Sequence, residues 1–148
     1  MKELIKIQAE LKAPKNQRNS FGGYSYRSCE DILEAVKPLL RGNDVVLVVS
    51  DEVESVYDRV YVVATASLYG LEGNLIASSK GYARESETRK GMDDSQITGS
   101  ASSYARKYAL NGLFCIDDAK DADATNTHGS DKPRPVQAKN RVLATDII

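Results

Sequence analysis

Residue types on which many enzymes and metal sites depend are scarce in this chain of 148 residues. It has no tryptophan, one histidine and two cysteines. The histidine, His128, lies in a polar stretch, so histidine-based catalysis and a zinc site are not expected. Cys29 and Cys115 lie far apart without a Cys-x-x-Cys pair. This spacing favours two buried thiols in a reducing cytosol over a disulfide or a metal site.

Motifs for ATP binding, calcium binding and membrane insertion are missing as well. The dipeptide Gly-Lys does not occur, so there is no Walker-type phosphate loop and no basis for an ATP-driven recombinase. Asp121 and Asp123 resemble the start of a calcium loop, but its sixth-position glycine and closing glutamate are absent. No apolar run approaches the roughly 20 residues of a membrane helix, and residues 1–11 are too charged for a signal peptide. We therefore expect a cytoplasmic protein without catalytic residue, metal, cofactor or membrane contact.

The chain has little net charge, but its charges are unevenly distributed. Its 20 basic and 21 acidic residues give a net charge of −1. Residues 1–27 contain six basic and two acidic side chains, whereas residues 117–123 contain four aspartates and one lysine. A folded domain with a basic N-terminal part and an acidic C-terminal segment can still present a positive groove to nucleic acid.

Two helices and an intervening loop are predicted for the first part of the chain. Apolar residues at helical spacing predict a helix over residues 2–12, and the polar, glycine-containing residues 15–26 predict a loop. Ser28 is suited to cap a second helix, with Asp31 completing an approximate capping box. This helix is predicted to end at Gly42, and Pro38 inside it predicts a kink or an early end.

Three strands follow. Residues 45–49 are a continuous, mostly β-branched apolar run, typical of a strand buried on both faces. Residues 60–68 alternate between two faces, and the turn at residues 70–73 joins them to a third strand over residues 74–86. One face of the third strand is mostly small, so a helix can pack closely there. The other face carries Lys80, Tyr82 and Arg84.

A final helix is predicted to begin at Asp93, Asp94 or Ser95 and to end near Asn111, before Gly112. Its predicted core face contains Ile97, Ala101, Tyr104, Ala105 and Tyr108. The composition then becomes too polar to bury enough apolar surface for ordering.

The fold class expected from these elements is α+β, in the order α-α-β-β-β-α. An antiparallel three-stranded sheet would be covered by helices on one face. Residues 1–116 would form the folded domain, and residues 117–148 an acidic, flexible tail.

Basic and aromatic side chains recur together in the loop before the second helix, on the third strand, in the next loop and on the final helix. Single-stranded DNA is held by cations that contact phosphates and by flat side chains on which bases stack, each stack contributing ~1–3 kcal/mol. The candidate DNA-binding residues are Tyr24, Tyr26, Arg27, Lys80, Tyr82, Arg84, Arg89, Lys90, Arg106 and Lys107.

Each of these groups has an alternative interpretation. The third-strand residues can be an ordinary solvated sheet face, and the loop aromatics can pack against a neighbouring subunit. On a helical wheel Arg106 lies opposite Ile97 and Lys107 lies at the flank of the core face. Cations near a helix C-terminus also favour the helix dipole without any ligand.

Two segments resemble a known family. NSFGGYSYRSCEDILEAVKPLL (residues 19–40) is similar to the N-terminal signature of the ERF (essential recombination function) family. DDSQITGSASSYARKYALNGLFCIDDAKDAD (residues 93–123) is similar to its C-terminal core signature. The resemblance covers about residues 1–123 and leaves the remaining tail outside.

The resemblance implies a phage or prophage protein with a β-β-β-α core that anneals complementary single strands in recombination. It implies assembly into rings or helical filaments with DNA in a positive groove. Arg106 and Lys107 would contact phosphates, and Lys80 and Arg84 would line the groove. The implied partners are single-stranded DNA, further copies of the chain and, through the tail, a host single-strand-binding protein or nuclease in the bacterial cytoplasm.

Two other functions are compatible with parts of the sequence. A double-stranded-RNA-binding module also has the order α-β-β-β-α, but the final helix begins with two aspartates, and residues 51–58 are predicted to be an acidic loop. A metal-dependent nuclease needs clustered carboxylates, and Glu85, Glu87, Asp93 and Asp94 are the candidates. The aspartates are better explained as residues that begin a helix.

Overall fold

Two short amphipathic helices begin the folded part of the protein. The computed structural model describes residues 1–87 and 93–116. Helix α1 (Lys2–Glu10) buries Leu4 and Ile7, as their spacing predicts. Helix α2 (Cys29–Gly42) begins at Ser28, whose side chain accepts a hydrogen bond from the backbone amide of Asp31. The Asp31 carboxylate in turn accepts from the Ser28 amide, which confirms the predicted capping box.

Pro38 does not end helix α2, which continues to Gly42. A proline inside a helix lacks the N–H that would bond to the preceding turn. Here Val36 is fully buried, and Leu39 and Leu40 pack against the same core. The Asn43 side chain also donates to the Leu39 carbonyl over 2.8 Å. Tertiary packing and this cap therefore hold the last turn that the sequence predicted to be kinked or lost.

The segment predicted to be a loop forms a small hairpin. Strands β1 (Gln17–Asn19) and β2 (Tyr24–Tyr26) pair antiparallel. In the turn, Asn19 Oδ1 accepts from the amides of Phe21 and Gly22 over 2.9 and 3.0 Å, and Asn19 Nδ2 donates to the Tyr24 hydroxyl. Strands of three residues give no periodic signal, and one asparagine side chain organises the turn locally. The loop prediction was wrong for this reason.

The central sheet has three antiparallel strands: β3 (Val46–Val56), β4 (Arg59–Tyr69) and β5 (Leu75–Arg84). Their order is β3-β4-β5, so β4 is central. Strand β4 buries Val62, Ala64, Ala66 and Leu68 on the face that alternation predicts. The hairpins β3–β4 and β4–β5 confirm the predicted antiparallel connectivity.

Strand β3 differs from its prediction in length and burial. It extends to Val56, so Asp51, Glu52 and Glu54 lie in the strand and not in a loop. Val46 and Val48 are 56% and 46% exposed, so the strand is not buried on both faces. The physical reason is that β3 is an edge strand, paired along its whole length with β4 and packed against helices on one face.

Helix α3 (Asp94–Phe114) packs across β4 and β5. The close approach depends on Gly81, where an added Cβ would lie 2.1 Å from the Ala105 carbonyl oxygen and 2.5 Å from the Ala109 nitrogen. This contact confirms that the small face of the third strand admits a helix. Asp93 caps the helix, and its carboxylate accepts from the Gln96 amide.

The predicted core face and end of α3 need correction. Tyr104 and Tyr108 are 47% and 48% exposed, whereas Leu110, Leu113 and Phe114 are buried. Residues four apart on a helix advance by about 40°, so a long buried stripe drifts around the helix axis. Gly112 lies inside the helix beside Ser79, and Cys115 ends it in the left-handed conformation at φ 51°. At this helix end Cys115 is exposed, so the expectation of two buried thiols was wrong for Cys115 and right for Cys29.

The predicted fold class is confirmed: the protein is α+β, with a three-stranded antiparallel sheet and helices. Residues 117–148 lie outside the described residues, so the division between domain and tail stays a prediction. Within the part that the structure describes, no helix is long and apolar enough to cross a membrane.

Candidate nucleic-acid interface

A groove of 370 Å³ runs between the outer edge of β5 and helix α3. Its lining combines aromatic, basic and hydroxyl side chains with small residues that leave its floor open. They are Tyr82, Ala83, Arg84 and Ser86 from the β5 side and Ile97, Ser100, Ala101, Tyr104 and Tyr108 from α3. Flat rings, a cation and a hydroxyl in one open groove can bind bases and phosphates together.

The two tyrosines of α3 form a flat, half-exposed patch. Tyr104 and Tyr108 lie four residues apart on one helix face, so their rings are neighbours. The ring centroids are 6.4 Å apart, and the ring planes differ by 27°. Nearly parallel rings that keep about half of their surface in water offer the kind of face on which a base stacks.

Lys107 connects this patch to the β1–β2 hairpin. Its Nζ lies 5.1 Å from the ring centroid of Tyr104 and 5.9 Å from that of Tyr26. Both distances fall within the range of cation–π attraction. Tyr26 also packs edge-on against Tyr24, with centroids 6.2 Å apart. The hairpin, α3 and β5 thus contribute to one continuous set of rings and cations. We call this set the tyrosine surface: Tyr24, Tyr26, Tyr82, Arg84, Tyr104, Lys107 and Tyr108.

Arg106 is engaged elsewhere. Its Nε donates to both carboxylate oxygens of Asp51 on β3 over 3.0 and 3.1 Å, and its Nη2 lies 3.0 Å from Asp51 Oδ2. Ser102 Oγ also donates to this carboxylate. Arg106 therefore lies at the flank of the helix–sheet contact, not opposite the core as its wheel position predicted, because the buried stripe drifts along α3.

The ion pair changes the acidity of both partners. Partial burial alone would raise the pKa of Asp51, but the hydrogen bonds from Arg106 and Ser102 outweigh burial, so the pKa lies below its ordinary value. The hydrogen bond to Asp51 raises the pKa of Arg106. Arg106 thus brings little net positive charge to a ligand while Asp51 remains ionised beside it.

Lys80, Tyr82 and Arg84 are exposed on β5. They lie two positions apart along the strand, so all three share the sheet face that α3 does not cover. The strand register places Lys80 level with Ser50, Tyr82 level with Glu52, and Arg84 level with Glu54, across β4. The open sheet face therefore carries as many acids on β3 as cations on β5. Their predicted contact with DNA stays a prediction, and only Tyr82 and Arg84 also line the groove.

The remaining predicted residues lie apart from the tyrosine surface or outside the description. Arg27 lines a separate depression with Gln8 of α1, the segment that follows α1 and the end of α3, and its Nε is buried. Arg89 and Lys90 lie outside the described residues, as do the acids of the tail.

Two of the four carboxylates considered for a nuclease, Asp93 and Glu85, have structural roles. Asp93 is the N-cap of α3, and Glu85 accepts a hydrogen bond from Thr98 Oγ1 over 3.0 Å. Across residues 1–87 and 93–116, no group of three histidine, cysteine, aspartate or glutamate side chains could hold a metal ion.

Sequence reasoning missed Tyr104 and Tyr108 as site residues and Asp51 as the partner of Arg106. The tyrosine spacing fits a core face and an exposed patch equally well, so periodicity alone placed both rings in the core. A signal was present in the adjacent Lys107, since a cation between two tyrosines in a helix favours an exposed position.

Together the fold and the tyrosine surface define a class: a small α+β protein with a β-β-β-α core and an exposed surface rich in aromatic and basic side chains. The ERF superfamily model matches residues 1–144, so the chain belongs to the ERF superfamily. The match extends beyond residue 123, where the resemblance was expected to end. The chain is 61% identical over 120 residues to the "Essential recombination function protein" of Salmonella phage P22.

The aligned part covers 81% of this chain and 57% of the phage P22 protein. The chain therefore spans little more than half the length of this curated relative. No solved structure matches the chain with significance.

Proposed function

We propose that the protein binds single-stranded DNA and anneals complementary strands without ATP, in phage homologous recombination. The observation that carries the proposal is the position of Lys107 between the rings of Tyr26 and Tyr104, beside the groove that Tyr82 and Tyr108 line. The name of the phage P22 relative, an essential recombination function protein, supports the recombination role.

The tyrosine surface suits a single strand because it offers rings and positive charge together. Bases of an unpaired strand expose their faces, which can stack on Tyr104 and Tyr108. Lys107 and Arg84 lower the repulsion between the phosphates of the bound strand and those of an incoming complement. Annealing makes and breaks no covalent bond, so the proposed function requires no catalytic residue.

The proposal includes several residues and partners beyond the groove itself. Tyr24, Arg27, Arg89 and Lys90 would extend the binding path, and Lys80 and Arg106 would add positive charge near it. The chain would work as an oligomer, a ring or a helical filament, in the cytoplasm of a bacterial host. The tail would contact a host single-strand-binding protein or nuclease.

The first test compares Lys107→Ala with Lys37→Ala, an exposed lysine on α2 whose nearest carboxylate, Glu34, lies 3.6 Å away. Binding of a fluorescent single-stranded oligonucleotide should weaken several-fold for the Lys107 variant and remain unchanged for the Lys37 variant. The slope of log affinity against log salt should fall in magnitude by about 0.7 for one lost phosphate contact. Equal affinities for wild type and Lys107→Ala would show that the interface lies elsewhere.

The tyrosines are tested by a paired substitution. Tyr104→Ala with Tyr108→Ala should weaken binding by about 1–3 kcal/mol per stacked base, whereas the phenylalanine pair should retain most of the affinity because the rings remain. The rate at which complementary labelled strands pair should follow the same order. Alanine variants that bind and anneal as wild type would contradict the stacking role.

The same assays test the two competing functions, duplex RNA binding and metal-dependent DNA cleavage. Duplex RNA should compete poorly for the single-strand site, since α3 begins with Asp93 and Asp94, where a basic start would favour RNA. Incubation of labelled DNA with magnesium should leave it at full length. Duplex RNA that displaces the oligonucleotide, or magnesium-dependent cleavage lost in Asp93→Ala, would support the alternatives.

A further inference from the structure

The central sheet has two long outer strands. β3 has 11 residues and β5 has 10, and each pairs only with β4 in the described part of the chain. An outer strand presents a row of backbone N–H and C=O groups that can pair with a strand of another molecule. Most side chains of β3 and several of β5 are exposed.

The two edges carry opposite charge. β3 contains three acidic and no basic side chains, and β5 contains two basic and no acidic side chains. Asp51 is paired with Arg106, which leaves Glu52 and Glu54 on the acidic edge against Lys80 and Arg84 on the basic edge. All four are exposed. None of them makes an ion pair within residues 1–87 and 93–116.

This distribution discriminates between ways of joining two copies. A symmetric contact between two β3 strands would bring only acidic charges to the interface, and one between two β5 strands would bring only basic charges. Like charges opposite each other across strands are destabilising, whereas opposite charges are stabilising. Pairing of β3 with β5 of another copy is therefore the favoured contact. Such a head-to-tail contact repeats from copy to copy.

We propose that copies of this chain join edge to edge, with β3 of one copy paired to β5 of the next in one extended sheet. The register supports this along most of the strands, since Ser50 lies level with Lys80 and Glu54 with Arg84, and a bulge in β5 opposite Leu68 and Tyr69 shifts it by one residue before Leu75. Glu54 and Arg84 lie at one level of the sheet, as do Val46 and Leu75 at its other end. A second copy beside β3 would thus bring its Arg84 next to Glu54 and its Leu75 next to Val46. These two apolar side chains are both 56% exposed in the single chain.

The proposed contact has a consequence for the binding surface. Because α3 lies on the same face in every copy, the grooves of joined copies would follow one another on one side of the sheet. Their spacing would be three strand separations, roughly 14 Å. This inference deepens the assembly part of the proposed function, and it can be tested without DNA.

The experiment uses two charge-reversal variants of the full chain. Glu52→Lys with Glu54→Lys makes both edges basic, and Lys80→Glu with Arg84→Glu makes both edges acidic. The mass of each preparation is measured by size-exclusion chromatography with light scattering, and folding is checked by circular dichroism. Wild type should form species heavier than a monomer that dissociate at high salt, and each variant alone should be monomeric.

The decisive sample is an equal mixture of the two variants, in which every β3–β5 contact between unlike molecules again joins opposite charges. The mixture should recover heavy species. A monomeric wild type, variants that assemble alone, or a mixture of folded variants that stays monomeric would each overturn the proposal. If a reversal variant does not fold, Glu54→Gln and Arg84→Gln should each raise the concentration needed for assembly several-fold, and an unchanged concentration would overturn it.

The two proposals fail separately. Edge pairing is tested by particle mass in the absence of DNA. The proposed function is tested by DNA binding, and it fails if Lys107→Ala or the tyrosine variants bind DNA as wild type does.

Discussion

At the scale of the residue, Arg106 and Lys107 are neighbours in sequence with different surroundings. Arg106 is held by Asp51 and Ser102 against β3. Lys107 points toward the rings of Tyr26 and Tyr104. The 100° step between adjacent helical residues is enough to direct one cation to an acid and the other to an aromatic surface. Arg106 and Lys107 were predicted to be equivalent phosphate contacts. Their surroundings differ, and Lys107 is the better placed of the two to contact a phosphate.

Asp51→Asn should increase the affinity for single-stranded DNA, because it removes a negative charge and releases Arg106 from its ion pair. The cost in the free energy of unfolding should be about 1 kcal/mol or less, since both side chains are partly exposed. Affinity is measured by fluorescence anisotropy at low salt. Asp58→Asn, which removes an acid at the β3–β4 turn, is the control. An equal gain in both variants would assign the effect to net charge and not to Arg106.

At the scale of the element, the contact between α3 and β5 decides the shape of the groove. Gly81 brings the helix backbone close to the strand, and this closeness positions Tyr104 and Tyr108 beside Tyr82. Ala101, Ala105 and Ala109 line the buried side of the helix, so small residues face each other across the contact. Overpacking here would push the helix away from the sheet.

Gly81→Ala should destabilise the protein by about 1–3 kcal/mol because the added methyl meets helix backbone that cannot rotate aside. Gly99→Ala on α3 is the matched control, since the added Cβ would meet open space beyond the helix's own backbone. That variant should be more stable by up to about 1 kcal/mol through helix propensity. Urea unfolding gives both values. A neutral Gly81→Ala would mean that the helix lies further from β5 than described.

At the scale of the whole molecule, charge is arranged by region rather than in excess. With a net charge of −1, any positive potential of the folded part depends on where its cations lie. Cations lie around the tyrosine surface and on β5, whereas acids lie on β3. The Asp51–Arg106 pair joins β3 to α3 on the helix-covered face, and it links the stability of the whole fold to pH.

The stability that Asp51 provides should be lost in acid. Its folded-state pKa lies below the ordinary value, which is about 3.9 for an unfolded chain. A group of this kind stabilises the fold above its unfolded pKa and loses that contribution as the pH falls through its folded pKa. The difference in unfolding free energy between wild type and Asp51→Asn should thus be largest near neutral pH and shrink below about pH 4. A difference that is independent of pH would contradict this role.

Some parts of the fold and of the site followed directly from sequence patterns. The capping box of α2, the alternation in β4 and the small face of β5 depend on neighbours within a few residues, so local rules predict them. The length of β3, the passage of α2 through Pro38 and the inclusion of Gly112 in α3 depend on partners distant in the chain. No local pattern contains them.

The sequence by itself determined the α+β class, the strand order along the chain, the placement of Lys80, Tyr82 and Arg84 on one strand face, and the family signatures. These depend on periodicity and residue type alone. Only the tertiary structure decided that Asp51 holds Arg106, that Tyr104 and Tyr108 are exposed, and that Lys107 lies between two rings. The reason is that an ion pair or an exposed patch is made by the packing of α3 on the sheet, which sets distances between residues far apart in sequence.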